Sequence, residues 1–276
     1  MMKMRYSMLF AALALGASSA ALANPFIAPP ETADQVRGAT PYSFELGATA
    51  YRETYKEFIG GSKVMKQEAE MMGVQAGVTR AFEHGGKLKL SGSFATGESD
   101  YTGSYQGGKY GDVTANNLDR YAITTDLEYK LVAPSFYDVE FGAGVGYRRL
   151  VDRLDQAGEG GYRRQNDRAY LSLSMERTFA AGNWTLTPKA KYKHVVWGQQ
   201  KSDIYGGLKM KQDKGYGAEL SLAISHKDAW NGLTVTPYVR TWDIKASKAV
   251  QLSPSVAAYE PRNKTKEIGI NISLTF

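Results

Sequence analysis

The sequence predicts an all-β fold: a ten-stranded antiparallel transmembrane up-and-down β-barrel. Three observations predict it. First, Lys264 to Phe276 alternates strictly, with Ile268, Ile270, Ile272, Leu274 and Phe276 on one face and Glu267, Gly269, Asn271, Ser273 and Thr275 on the other. A period of two with one apolar face is a half-buried strand. Second, the chain starts with a secretory pattern, and no later stretch is apolar enough for a membrane helix. Lipid offers the backbone no hydrogen bonds, so a membrane protein without helices must close its sheet into a barrel. Third, the connections between alternating segments are short and long in turn, as in membrane barrels with short periplasmic turns and long outer loops.

Taken in order, Lys3 and Arg5 precede an apolar run from Met8 to Leu15, and small residues lead to Ala21-Leu22-Ala23. This is the charged, apolar and A-x-A sequence of a signal peptide, so residues 1–23 are expected to be removed. Residues 24–41 bear prolines and lack periodicity, which predicts an extended periplasmic lead-in. The barrel is expected over 42–276. Its strands are predicted at 42–55, 66–82, 87–104, 119–131, 137–153, 166–179, 184–202, 215–227, 233–248 and 263–276. Short turns fall at His84-Gly85-Gly86, Ala133-Pro134-Ser135, Ala180 to Asn183 and Asp228 to Gly232. Longer polar connections fall at Ile59 to Met65, Tyr105 to Leu118, Asp155 to Asn166, Ile204 to Lys214 and Ala249 to Asn263. Phe82, Phe136, Tyr137, Phe179, Trp184, Trp230 and Phe276 lie beside the short turns, where a periplasmic aromatic girdle belongs.

Composition agrees. The absence of cysteine excludes a disulfide scaffold and thiol chemistry. The 18 tyrosines and 29 glycines suit aromatic girdles and a lumen lined partly by small residues. The formal charge of +6 falls by two when Lys3 and Arg5 leave. A strand that closes a chain on an aromatic residue resembles the terminal strand of bacterial outer-membrane barrels. The resemblance implies recognition by the barrel-assembly machinery through the strand ending at Phe276, and residence in the outer membrane of a Gram-negative cell.

Projection of the strands assigns charge to the lumen. Glu45, Lys87, Lys89, Asp126, Glu128, Lys130, Glu140, Arg148, Glu176, Lys189, Lys191, Lys193, Glu219, Arg240 and Glu267 are expected to point inward. Both signs are present, and buried charges require partners. Small barrels are filled by their side chains. Two expectations stay open: an ion-paired plug, or a narrow porin-like channel lined by Lys189, Lys191 and Lys193 opposite Glu176, Glu219 and Arg240.

Catalytic chemistry has little to start from. Of three histidines, His84 and His226 flank short turns, and His194 shares the outward parity of Trp184, Leu186, Ala190 and Val196. The Asp-x-His and Asp-x-Asp pairs of omptin proteases do not occur, nor does the His-x-Ser pair of lipid A deacylases. No His and carboxylate cluster has metal-ligand spacing. No catalytic residue, metal or cofactor is therefore expected, and an omptin-like barrel enzyme is the weaker alternative.

The outer connections carry cations and tyrosines instead. Candidate ligand contacts are Lys109, Tyr110, Arg163, Arg164, Lys201, Tyr205, Lys209, Lys211 and Lys214, with Tyr162, Arg168, Tyr259, Arg262, Lys264 and Lys266 nearby. Cations pair with sulfate or carboxylate and aromatic rings stack on sugars, so an acidic or sulfated glycan of a host or the environment is the expected ligand. Alternatively, the same lysines bridge the phosphates of lipopolysaccharide. Nucleic acid is not an expected partner. The stretches N-N-L-D-R-Y-A-I-T-T-D-L-E-Y, F-G-A-G-V-G-Y, G-N-W-T-L-T-P, K-Q-D-K-G-Y-G-A-E-L-S-L-A-I and T-K-E-I-G-I-N-I-S-L-T-F resemble the Opc-type adhesin/invasin barrels between Asn116 and Phe276. That resemblance implies ten strands and a cell-surface adhesin whose basic loops bind sulfated proteoglycans.

Overall fold

The computed structural model describes residues 41–104, 108–133, 138–228 and 231–276, without the side chain of Tyr205. The signal peptide and lead-in, Tyr105, the turn at Pro134 and Ser135, and the girdle residues Phe136, Tyr137 and Trp230 lie outside these residues.

Ten long strands form the barrel: β1 (Tyr42–Ile59), β2 (Ser62–Ala81), β3 (Lys87–Gly103), β4 (Val113–Ala133), β5 (Val139–Arg153), β6 (Arg163–Glu176), β7 (Trp184–Ser202), β8 (Gly215–His226), β9 (Leu233–Ile244) and β10 (Arg262–Thr275). Each pairs antiparallel with its sequence neighbours, and β10 pairs with both β9 and β1, which closes the sheet. Closure leaves no open edge, the one sheet arrangement that lipid tolerates. Backbone bonds between Phe44 and Phe276 seal the seam at its periplasmic end, where the two rings also stack.

Several expected boundaries are corrected: β4 starts at Val113 rather than 119, and β9 ends at Ile244 rather than 248. The first outer connection is not a loop over Ile59 to Met65 but a two-residue turn, Gly60-Gly61, with φ of +57° and +87°. Consecutive positive φ values match the right-handed twist of a tight hairpin, and glycine adopts them without a Cβ clash. Strand β6 starts at Arg163 rather than Asn166, which draws Arg164 out of the predicted loop and into the barrel wall.

The alternation puts the apolar face outward. Phe44, Leu46, Met72, Val74, Leu90, Phe94, Leu127, Phe141, Val145, Leu171, Leu173, Leu220, Ile268 and Ile270 are all exposed to the surroundings. This face changes character at one level. Ala50 lies opposite Met72, and two residues further outward Arg52 lies opposite Glu70, which lies opposite Glu98. Beyond that ring the outward residues of β1 to β3 include Thr54, Lys56, Glu68, Lys66, Asp100 and Thr102, with Phe58 the aromatic among them. A tilted strand needs about 9–11 residues to cross the apolar layer, whereas β2 has 20 and β4 has 21. The surplus stands above the membrane on the outer side.

The polar face points inward and fills the lumen. Strand β5 makes room for it with the glycines of G-A-G-V-G: a Cβ at Gly146 would collide with the Tyr170 ring, and one at Gly144 with the backbone of β4.

Candidate functional site

The lumen is a ladder of ion pairs. Near the periplasm Lys87 meets Glu140 and Lys89 meets Glu45 at 2.6 Å. Lys130 reaches Glu176 at 2.6 Å, Lys189 lies 3.0 Å from Glu128, and Lys191 lies 2.9 Å from Asp126. In the middle Lys193 and Arg240 share Glu219 at 2.8 and 2.7 Å, and Arg240 also holds Glu267 at 2.8 Å. Further out Arg148 bridges Glu267 and Glu53, Arg120 bridges Glu53 and Asp152, and Arg164 joins Asp152, Glu57 and Glu260. Arg120 and Glu267 are fully buried.

Every residue expected to point inward does so, and Lys189, Lys191 and Lys193 are all paired with acids. This is the arrangement expected of a plug. Between the ladder and the small side chains of β2, β3 and β10 lies a cavity of about 40 Å³, lined among others by Thr49, Gln75, Tyr238 and Asn271. That is room for one or two waters.

The sequence reading missed Glu53, Glu57, Arg120, Asp152 and Glu260. The first four follow the inward parity of their own strands: Glu53 and Glu57 continue from Glu45, Arg120 precedes Asp126, and Asp152 follows Arg148. Glu260 had no such signal, because it hangs from the last outer connection. There it is pinned by Tyr55 at 3.4 Å and by Ser247 through its backbone at 2.8 Å. Burial, followed by the neighbouring Glu57 carboxylate, raises its pKa well above the usual carboxylate range despite Arg164.

The outer rim holds the remaining candidates in separate sectors. Lys109 and Tyr110 are exposed on the β3–β4 connection, where the Lys63 ammonium stands 3.9 Å from the Tyr110 ring centre. Arg163 is exposed and donates to the Tyr121 hydroxyl at 2.5 Å. Arg164 is corrected: it is not a loop residue but a buried member of the lumenal ladder. Arg168, also placed on that loop by the sequence, is buried inside β6. Lys264 and Lys266 project from the outer face of β10, within the strand expected from 263, and Arg262 joins them at its first position.

Lys201, Lys209, Lys211 and Lys214 do come together. A short strand, Leu208–Lys211, pairs with the outer end of β7 and sets Lys209 opposite Lys201, with Lys211 two residues along the same face. Backbone bonds from Lys245 to Lys214 and from Lys248 to Lys211 bring two further lysines alongside. Acid relief is sparse: Asp213 pairs with Lys211 at 2.8 Å and Asp167 lies 3.6 Å from Lys201. The Lys211 ammonium holds the Asp213 carboxyl below its ordinary range. Lys209, Lys214, Lys245 and Lys248 have no carboxylate at ion-pair distance among the described residues.

Among the described residues there is also no group of three or more His, Cys, Asp and Glu side chains placed to hold a metal.

Closed strands, an apolar outer belt and a charged interior define the class: this is a ten-stranded antiparallel outer-membrane β-barrel. No protein-family model and no curated protein matches the chain. Among solved structures it is similar to the outer membrane protease OmpT of Escherichia coli, with 12% identity and a TM-score of 0.52, covering 86% of this chain and 98% of that one. The translocator domain of the autotransporter NalP from Neisseria meningitidis gives 10% identity and a TM-score of 0.45, over 87% and 91% of the two chains. Neisserial surface protein A gives 10% identity and a TM-score of 0.36, over 87% and 99%. At 12% identity the likeness to OmpT speaks for the fold alone.

Proposed function

We propose that the chain is a surface adhesion or ligand-binding barrel whose basic outer rim takes acidic or sulfated glycans. One observation carries this: Lys201 and Lys209 face each other across paired strands, flanked by Lys211, Lys214, Lys245 and Lys248. Like charges directly opposite are destabilising, so a polyanion laid across them relieves repulsion and gains charge-assisted hydrogen bonds. The Opc-type resemblance points the same way.

The test is binding of purified barrel to an array of sulfated and unsulfated glycans. Binding to the sulfated set is expected to weaken as salt shortens the screening length from about 10 Å at 0.1 M to about 3 Å at 1 M. It is expected to fall more than about tenfold when Lys209, Lys211 and Lys214 are all changed to Glu, a reversal of the field at close range. Salt-insensitive binding, or equal binding by the triple variant, would sink the proposal.

A second reading rests on a different surface. Lys56, Lys264 and Lys266 line an outward groove of about 440 Å³ with Tyr216 and Asp243, just beyond the apolar belt. That height suits phosphates of lipopolysaccharide in the outer leaflet. Co-purified lipopolysaccharide that is lost in Lys56→Glu/Lys264→Glu/Lys266→Glu but kept in the rim variant would assign the groove to the membrane.

A further inference from the structure

Arg168 stands apart from the rest of the ladder. Each other inward lysine or arginine among the described residues has a carboxylate at ion-pair distance, and Arg168 has none. It is 4% exposed. The carboxylates nearest in charge influence, Glu53 and Glu267, are each already held by two arginines. Arg168 is also the cross-strand neighbour of Arg148, so two like charges face each other in the interior.

The surroundings supply donors. The Arg168 guanidinium lies 5.4 Å from the Trp242 ring centre, Lys193 5.4 Å and Arg148 5.9 Å, so three cations surround one indole. The Trp242 Nε1–H is buried without an acceptor, as are the Arg148 Nε–H and the Asn166 Nδ2 group. Asn166 sits two residues from Arg168 on the same inner face, with Gln200 opposite. Its own Oδ1 and the Gln200 Oε1 are buried without donors and would accept from O–H groups.

A buried cation without a partner is costly, and water cannot neutralise it. Buried N–H groups are almost always satisfied. We infer that a small anion, of halide or oxyanion size, binds in the outer half of the lumen between Arg168, the Trp242 indole nitrogen and Arg148 Nε. The site is independent of the basic rim. It completes the ion-pair ladder with a ligand where the chain supplies no carboxylate, and it makes the plug's stability depend on the anion present.

The probe is bromide. Crystals grown with sodium bromide are expected to show an anomalous peak within hydrogen-bond reach of Trp242 Nε1 and the Arg168 guanidinium. In solution, replacing sodium gluconate by sodium bromide at constant ionic strength is expected to raise Tm by about 3–5 °C when bromide is about tenfold above its Kd. Arg168→Met should abolish both effects. Trp242→Phe keeps the ring and removes only the donor, and should weaken bromide about tenfold; it keeps the test decisive where Arg168→Met fails to fold. No peak at this site, or an unchanged bromide response in Trp242→Phe, overturns the inference.

Discussion

At the residue scale the molecule is governed by buried charge. Arg120 holds Glu53 and Asp152, and all three side chains are essentially removed from solvent. Arg120→Met leaves Glu53 to Arg148 alone and Asp152 to Arg164 alone, and a loss of about 3–5 kcal/mol is expected. Urea unfolding of the refolded barrel, followed by tryptophan fluorescence, would register it as a fall in midpoint. Glu260 behaves in the opposite sense. Its pKa in the fold lies above that of the unfolded chain, so protonation favours the folded state. The stabilisation is complete below the unfolded carboxyl value and is lost as pH rises through the folded one. Hydrogen exchange in the connection 245–261 is therefore expected to speed up as pH rises, beyond its intrinsic pH dependence. Glu260→Gln, which mimics the protonated side chain, should flatten that excess; an unchanged profile would refute the role of Glu260 as the anchor.

At the element scale each strand does two jobs along its length. The outward face of β2 runs from Val74 and Met72, which is 69% exposed, to Glu70 and Glu68. The switch marks the upper limit of lipid. Val74→Arg, nearer the middle of the belt, is expected to cost about 2–4 kcal/mol, whereas Glu70→Arg should cost close to nothing. Refolding into vesicles and measuring both unfolding midpoints checks the height of the belt directly. The predicted strands matched the observed ones closely wherever alternation was long, as in β7 and β8. They fell short at the outer ends of β1, β4 and β6. There both faces are polar because no lipid lies outside, so the pattern that marks a strand disappears while the strand continues. Arg164 was assigned to a loop for that reason, although it keeps the inward parity of Arg168 and Tyr170.

At the scale of the whole molecule, the closed sheet and filled lumen set what the barrel can pass. The ladder spans the interior, and its lysines are engaged by acids. Planar bilayers containing the purified barrel are expected to remain without steady conductance at neutral pH. Regular openings whose ion selectivity changes in Lys191→Glu would reverse that conclusion and restore a channel. The rim, by contrast, joins several elements: Lys201 comes from β7, Lys209 from the short strand Leu208–Lys211, Lys214 from the connection that carries that strand, and Lys245 from the connection after β9. The first three are close in sequence, whereas Lys245 joins them only through the fold.

The sequence by itself determined the alternation, and with it the face of every strand, the even strand number and the division into lipid-facing and lumenal residues. These follow from a period of two, which is local. Which charges pair was decided only by the tertiary structure. Arg148 and Glu267 are 119 positions apart and meet because β10 closes on β1 and the barrel is narrow enough for side chains to cross it. The same closure left Arg168 without a carboxylate, because pairing depends on the register around the whole barrel and not on any one strand.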